Sequence, residues 1–217
     1  MGESLNVRKA LFLDRDGVIN HDPGDYTKSL AEFQVLPSVV ETLKVWHDAG
    51  YLLIVVTNQG GLAKGLYEEA DVHAMHQYFQ GLCVQAGFSI AHFYFCPHHP
   101  DFNGRCLCRK PGSLMVEKGL HQFHLDPEQC LIIGDKQRDL DAAAAAGGGV
   151  SLAALGQRGT SGMAAQGGNA AAGRALAASN GFESMRNPGA GMAAVASGGV
   201  QLKAAAGFSA GASAGVG

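Results

Sequence analysis

The chain has 217 residues, enough for one sizeable hydrophobic core, or one core with an appendage. Its formal net charge of -3 excludes the broad basic field that nucleic-acid binding asks for. No apolar run is long enough for a signal peptide near the start or a membrane span anywhere, and an odd count of five cysteines fits a reducing compartment better than a disulfide framework, so a cytoplasmic monomer bound to neither nucleic acid nor membrane is expected.

Residues 8–150 alternate between strand-like and helix-like patterns. The run "KALFLD" (9–14) is a short apolar strand ending in an aspartate. In "LPSVVETLKVWHDAG" (36–50) apolar residues recur at helical spacing up to a glycine stop. "YLLIVVTN" (51–58) is continuously apolar and β-branched, which predicts a strand buried on both faces. An amphipathic helix follows over 67–87, with acidic residues in its first turn. "HFYFC" (92–96) reads as a strand, 112–125 as a helix, and "CLIIGD" (130–135) as another strand ending in an aspartate. Such alternation predicts an α/β fold, a Rossmann-like parallel sheet with helices on both faces. Ligands of such sheets bind beyond the carboxyl ends of the strands.

Composition changes near residue 142. From there to the end, 43 of 76 residues are Ala or Gly, which makes low complexity the expectation. Little apolar area is available there to offset the entropy of ordering. "GVSLAALG" (149–156) reads as one last strand. The expected organisation is one folded α/β domain over 1–160 and a poorly ordered Ala/Gly-rich tail over 161–217.

The polar residues that interrupt the pattern lie at the expected strand ends. "FLDRDGVIN" (12–20) sets Asp14 and Asp16 two residues apart, and Gly17 permits the turn. Two such carboxylates can converge on one cation. One can attack phosphorus as a nucleophile, and the other can protonate a leaving oxygen and later activate water. "VVTNQGG" (55–61) places Thr57 and backbone N–H groups where phosphate oxygens can be held. Lys110, in "RKP" (109–111), can neutralise developing phosphoryl charge. Asp135, in "IIGDKQRDLDAA" (132–143), is placed to complete a magnesium site of oxygen ligands, and Asp139 can orient that shell. Each of these motifs is common in isolation.

"CPHHPDFNGRCLCRKP" (96–111) is the densest cluster. Cys96, Cys106 and Cys108 with one histidine form a closed Cys₃His set, which suits structural zinc with no position left for water. His98 and His99 compete for the fourth place. A bound zinc would fold a loop poor in apolar residues and give Arg109 and Lys110 a rigid mount. Cys83 and Cys130 are expected to pack in the core.

Taken in order along 9–147, these motifs resemble the haloacid dehalogenase superfamily of phosphohydrolases. Within it, "DRDGVIN", "TNQGGLAKG", "CPHHP", "CRKPG" and "GDK" resemble the zinc-loop branch acting on heptose bisphosphates, whose histidinol-phosphate relatives share the zinc loop and "CRKP". The resemblance implies Mg²⁺-dependent removal of one phosphate from a sugar bisphosphate, in the supply of nucleotide-activated heptose, by a domain with a zinc-stabilised loop and no large cap domain. It implies that Asp14 is nucleophile and magnesium ligand, that Asp16 is general acid/base with its backbone carbonyl on the metal, and that Asp135 is the third magnesium ligand. Thr57 and Lys110 would hold the transferring phosphoryl group. Arg109 and Lys136 would contact the sugar bisphosphate, with Asn58 and Gln59 beside it and Asp22 in the substrate loop "DPGDY" (22–26). The pattern C-P-H points to His98 as the zinc ligand. Alternatives are a histidinol-phosphate phosphatase and a catalytically inactive, zinc-stabilised binding module; the presence of both carboxylates, Lys110 and Asp135 speaks against inactivity.

Overall fold

The computed structural model describes residues 8–146, 151–157 and 192–196. Six strands form one sheet: β1 (Lys9–Leu13), β2 (Tyr51–Asn58), β3 (His92–Cys96), β4 (Leu131–Ile133), β5 (Ser151–Gln157) and β6 (Met192–Ala196). Their order is β3-β2-β1-β4-β5-β6. The first five strands are parallel, with Leu11 opposite both Leu53 and Leu131, and β6 joins β5 antiparallel. This last pairing was not expected from the sequence. The rest of the 161–217 tail lies outside the described residues, as does the expected boundary at 160.

The helices are α1 (Val39–Asp48), α2 (Glu69–Gln85), the short α3 (Pro100–Asn103), α4 (Leu114–Gln122) and α5 (Gln137–Ala145). α1, α2 and α4 lie inside their expected spans of 36–50, 67–87 and 112–125, trimmed by a few residues at the ends, whereas no span was expected for α5. α2 begins with a reciprocal cap, in which the Asp71 carboxylate accepts from the Glu68 N–H at 2.9 Å. Among the described residues no helix is long and apolar enough to cross a membrane.

Successive strand residues face opposite sides, and the core divides accordingly. Leu11, Leu13, Leu53 and Val55 pack with Val39, Leu43 and Trp46 of α1 and Met75 and Phe79 of α2. Ala10, Phe12, Ile54, Val56 and Ile132 pack on the other side with Met115 and Val116 of α4 and Leu140 and Ala143 of α5. Leu53 through Val56 are fully buried, so β2 needs apolar side chains on both faces, which explains its unbroken apolar run.

The strand order places the site. From β1 the chain crosses to β2 and β3 on one side, then returns to β4 on the other. The crevice beyond the carboxyl ends of β1 and β4 lies at this reversal, where neighbouring connections leave in opposite directions. The Asp14 N–H donates to the Ile133 carbonyl at 2.9 Å, so the pairing runs one residue past β1 and sets Asp14 at the mouth of that crevice.

Candidate active site

Asp14, Thr57, Lys110 and Asp135 are brought together from four separate segments, and each is at most 3% exposed. Lys110 Nζ sits 3.0 Å from Asp14 Oδ1, is ion-paired with Asp139 and donates to the Val56 carbonyl at 2.8 Å. Burial alone would lower the Lys110 pKa, but the charges of Asp14 and Asp139 outweigh it and raise the pKa. Asn58 fixes the backbone of this lysine: its Oδ1 accepts from the Lys110 N–H at 2.9 Å and its Nδ2 donates to the Lys110 carbonyl at 3.0 Å.

One carboxylate oxygen from each of Asp14, Asp135 and Asp139 falls within 4.8 Å of the others. Burial pushes the Asp14 carboxyl up; Lys110 pulls it down, and Asp139, Asp135 and Asp16 push it up again, to about 7. Burial likewise raises Asp135, against the pull of Lys136. Asp135 Oδ1 is buried without a hydrogen-bond partner. Gly17 lies against this carboxylate: its φ is +87°, and a Cβ there would stand 2.6 Å from Asp135 Oδ2. The site therefore needs glycine both for its backbone and for its space. An unsatisfied buried oxygen in a ring of oxygen donors fits a hard divalent cation.

The Asp16 side chain is not part of this ring. It turns toward Arg15, whose Nη2 meets Oδ1 and Oδ2 at 2.8 and 3.0 Å. Asn20 Nδ2 and Thr27 Oγ1 also donate to Oδ1, and Gln59 Nε2 to Oδ2. Burial pushes the Asp16 carboxyl up, but the Arg15 charge and the hydrogen bonds of Arg15, Asn20 and Gln59 together hold it below the ordinary value. Arg15 is 1% exposed and lies over the Phe33 ring with its centre 5.7 Å away. Sequence reading missed Arg15, because an arginine between two aspartates reads as solvated and no spacing signals its burial. It also missed Tyr67, whose hydroxyl donates to Gln59 Oε1 at 2.7 Å.

Around the rim, Lys136 Nζ reaches Asp22 at 2.7 Å and Asp135 at 3.3 Å, so the loop after β1 is tied to the start of α5. Arg109 Nη1 donates to the His98 carbonyl at 3.0 Å. Gln59 is 1% exposed with both amide atoms engaged.

Cys96, His98, Cys106 and Cys108 form the second cluster. Cys108 Sγ lies 3.1 Å from Cys96 Sγ, 3.5 Å from Cys106 Sγ and 3.3 Å from His98 Nδ1. Cys96 Sγ is 3.5 Å from Cys106 Sγ and 3.6 Å from His98 Nδ1. All five cysteines are free thiols. Corners of a tetrahedron about 2.3 Å from a central zinc would be about 3.8 Å apart, close to these separations, so the cluster could hold a tetrahedral metal ion. His99 turns away: its Nδ1 accepts from the Asp101 N–H, at the start of α3.

This arrangement has close relatives. A D-glycero-beta-D-manno-heptose-1,7-bisphosphate 7-phosphatase of Haemophilus ducreyi is 39% identical over 145 residues, 64% of this chain and 79% of the relative. The chain belongs to the HAD-like phosphatases. The HAD-hydrolase-like family model matches residues 107–173. A D-glycero-alpha-D-manno-heptose-1,7-bisphosphate 7-phosphatase of Burkholderia mallei is 39% identical over 149 residues, 66% of this chain and 78% of the relative. Among solved structures, a D,D-heptose 1,7-bisphosphate phosphatase of B. bronchiseptica, in complex with magnesium and phosphate, superposes with a TM-score of 0.62 at 34% identity, over 67% of this chain and 79% of its own. A putative HAD-like phosphatase of Mesorhizobium loti gives 0.61 at 31% identity, over 67% and 70%. As a HAD-like phosphatase, this chain has its buried carboxylate–lysine cluster at the carboxyl end of the sheet.

Proposed function

We propose that the protein is a Mg²⁺-dependent phosphomonoesterase that removes the 7-phosphate of D-glycero-D-manno-heptose 1,7-bisphosphate through an aspartyl-phosphate on Asp14. The convergence of Asp14, Thr57, Lys110 and Asp135 around one crevice, in a chain 39% identical to heptose bisphosphate 7-phosphatases, carries this reading. Asp14 attacks phosphorus, and Thr57 and Lys110 donate to the equatorial oxygens. Once free of Arg15, Asp16 takes up a proton from solvent, gives it to the sugar oxygen as that departs, and as the regenerated carboxylate takes a proton from the water that hydrolyses the acyl phosphate. Asp139 acts on Lys110, holding its ammonium group against Asp14. Arg109 and Lys136 line the rim where a second phosphate would be met.

The carboxylates of Asp14 and Asp135 and the backbone carbonyl of Asp16 would hold Mg²⁺. The ion supplies positive charge that lets an anionic substrate approach an anionic nucleophile. Four carboxylates, those of Asp14, Asp22, Asp135 and Asp139, face only two ammonium groups, Lys110 and Lys136, and this excess of negative charge suits a divalent cation. Cys96, His98, Cys106 and Cys108 would hold a structural Zn²⁺. Its role would be to stiffen the loop that carries Arg109 and Lys110, which Asn58 already clamps from β2. The linkers 59–68 and 14–38 contain no inserted domain, which supports a site without a large cap.

The test is phosphate release from heptose 1,7-bisphosphate and from histidinol phosphate, with magnesium and with chelator. Magnesium-dependent preference for the bisphosphate is expected. Release from histidinol phosphate alone would overturn the substrate, and release from neither by folded, zinc-loaded protein would overturn the activity.

A further inference from the structure

Gln59 is the centre of a buried chain of hydrogen bonds that the reaction scheme leaves unused. Its Nε2 donates to Asp16 Oδ2 at 3.0 Å and to Thr57 Oγ1 at 3.0 Å. Its Oε1 accepts from Tyr67 Oη at 2.7 Å. The amide has only one workable orientation. Turned over, it would set its carbonyl oxygen against the Asp16 carboxylate, two acceptors with no hydrogen between them. In the observed orientation the carbonyl faces Tyr67, and the phenol hydrogen is the donor that satisfies it.

Tyr67 is built to stay there. It is 7% exposed, and its ring stands 6.1 Å from that of Tyr26. The ring also lies close against Gly61, where any Cβ would overlap it. The turn that carries Gly61 is closed by Leu66 N–H donating to the Gly61 carbonyl at 3.0 Å. Burial, with smaller contributions from Asp16 and Tyr26, pushes the phenol up to about 12 against the pull of Arg15, so it remains a neutral donor.

Thr57 is affected directly. A hydroxyl that accepts from Gln59 Nε2 must direct its own hydrogen elsewhere, and Thr57 stands at the carboxyl end of β2, beside the crevice. We propose that Tyr67 is a positioning residue which, by fixing the Gln59 amide, aims the Thr57 hydroxyl hydrogen at the transferring phosphoryl group and sets the resting place of the Asp16 carboxylate. This inference rests on the phosphatase reading above and assigns a task to a residue more than one side chain away from the substrate. Tyr67 touches neither substrate nor metal and acts only through Gln59.

Tyr67→Phe removes the hydroxyl and keeps the ring on Gly61. It is expected to lower kcat about 3- to 10-fold, the size of one neutral hydrogen bond, with KM close to wild type, and to lower the thermal midpoint by a few degrees because Gln59 Oε1 loses its donor. In a Gln59→Ala background, Tyr67→Phe is expected to change kcat by less than about twofold, because the two side chains act in series. The readouts are steady-state phosphate release with magnesium and thermal unfolding for wild type, both single variants and the double variant. Wild type that releases no phosphate from any monoester overturns the phosphatase reading, and this inference with it. Active wild type with an equally active Tyr67→Phe variant overturns this inference alone. So does a Tyr67→Phe loss that persists undiminished without Gln59, or a loss confined to the thermal midpoint.

Discussion

Replacing the proposed nucleophile should make the metal-free protein more stable, and the effect should depend on pH. Asp14 is buried with Asp135 and Asp139 beside it and Lys110 at 3.0 Å, and its pKa is raised from 3.8 to about 7. The folded protein therefore keeps the Asp14 proton to higher pH than the unfolded chain does. The stability associated with that proton is fully present below about pH 3.8 and is lost as pH rises through about 7. A rise of this size corresponds to about 4 kcal/mol as an upper bound, and half of that is a reasonable expectation for a group shared among several charges. Asn has the shape of the protonated acid and cannot ionise. In chelator, Asp14→Asn should match wild type near pH 4 and exceed it by about 2–4 kcal/mol at pH 8, roughly 5–15 °C in the thermal midpoint for a domain of this size. Saturating magnesium should narrow the gap by stabilising wild type selectively. The assay is thermal unfolding by circular dichroism across pH 4–8. A variant less stable than wild type at pH 8, or a difference that does not change with pH, would refute the account of Asp14 as a strained carboxylate.

Lys110→Met should behave in the opposite way: it leaves Asp14 and Asp139 buried without their counter-charge, and a loss of about 3–5 kcal/mol in urea unfolding at pH 7.5 is expected, so a loss under about 1 kcal/mol would show that the pair is not needed for folding. Cys106→Ser should reduce bound zinc from about one per chain to nearly none by elemental analysis, because three ligands hold the ion far less tightly than four; unchanged zinc would remove Cys106 from the ligand set. Gly17→Ala introduces a side chain at φ +87° and against Asp135, and it should cost more than about 1 kcal/mol of stability and weaken magnesium binding at least tenfold by titration calorimetry. Magnesium affinity equal to wild type would show that the Gly17–Asp135 contact does not shape the metal site.

Much of the fold is legible locally. The unbroken apolar run of β2 could only be a strand covered on both faces, and Leu53 through Val56 are fully buried. The helical spacing in 36–50 and 67–87 places α1 and α2 to within a few residues at each end. The site is legible as a set of strand-end polar residues, because an aspartate or threonine that stops an apolar strand cannot be explained by packing. Arg15 shows the limit. Its burial depends on Asp16 accepting from Nε and Nη2 along one edge of the guanidinium and on Phe33 lying beneath it, and neither condition has a periodicity. Asn58 shows the same limit differently: the sequence puts it at a strand end beside the expected substrate, whereas the structure spends its amide on both backbone groups of Lys110.

By itself the sequence determined the elements, their α/β class, the chemistry available at each strand end and the thiol-rich loop before Arg109 and Lys110. These follow from hydrophobic period, turn residues and ligand type, all of which act over a few residues. The tertiary structure alone decided which of those ends meet. Lys110 reaches Asp14 and Asp139, Asn58 reaches across 52 residues to Lys110, and Lys136 reaches across 114 to Asp22. It also decided that Asp16 rests on Arg15 rather than beside Asp14. The physical reason is that strand order is a property of the whole packed sheet. β1 lies between β2 and β4, which pair both of its edges while helices cover both of its faces, and only then do hydrogen-bond and ion-pair partners distant in the chain come within 3 Å of one another.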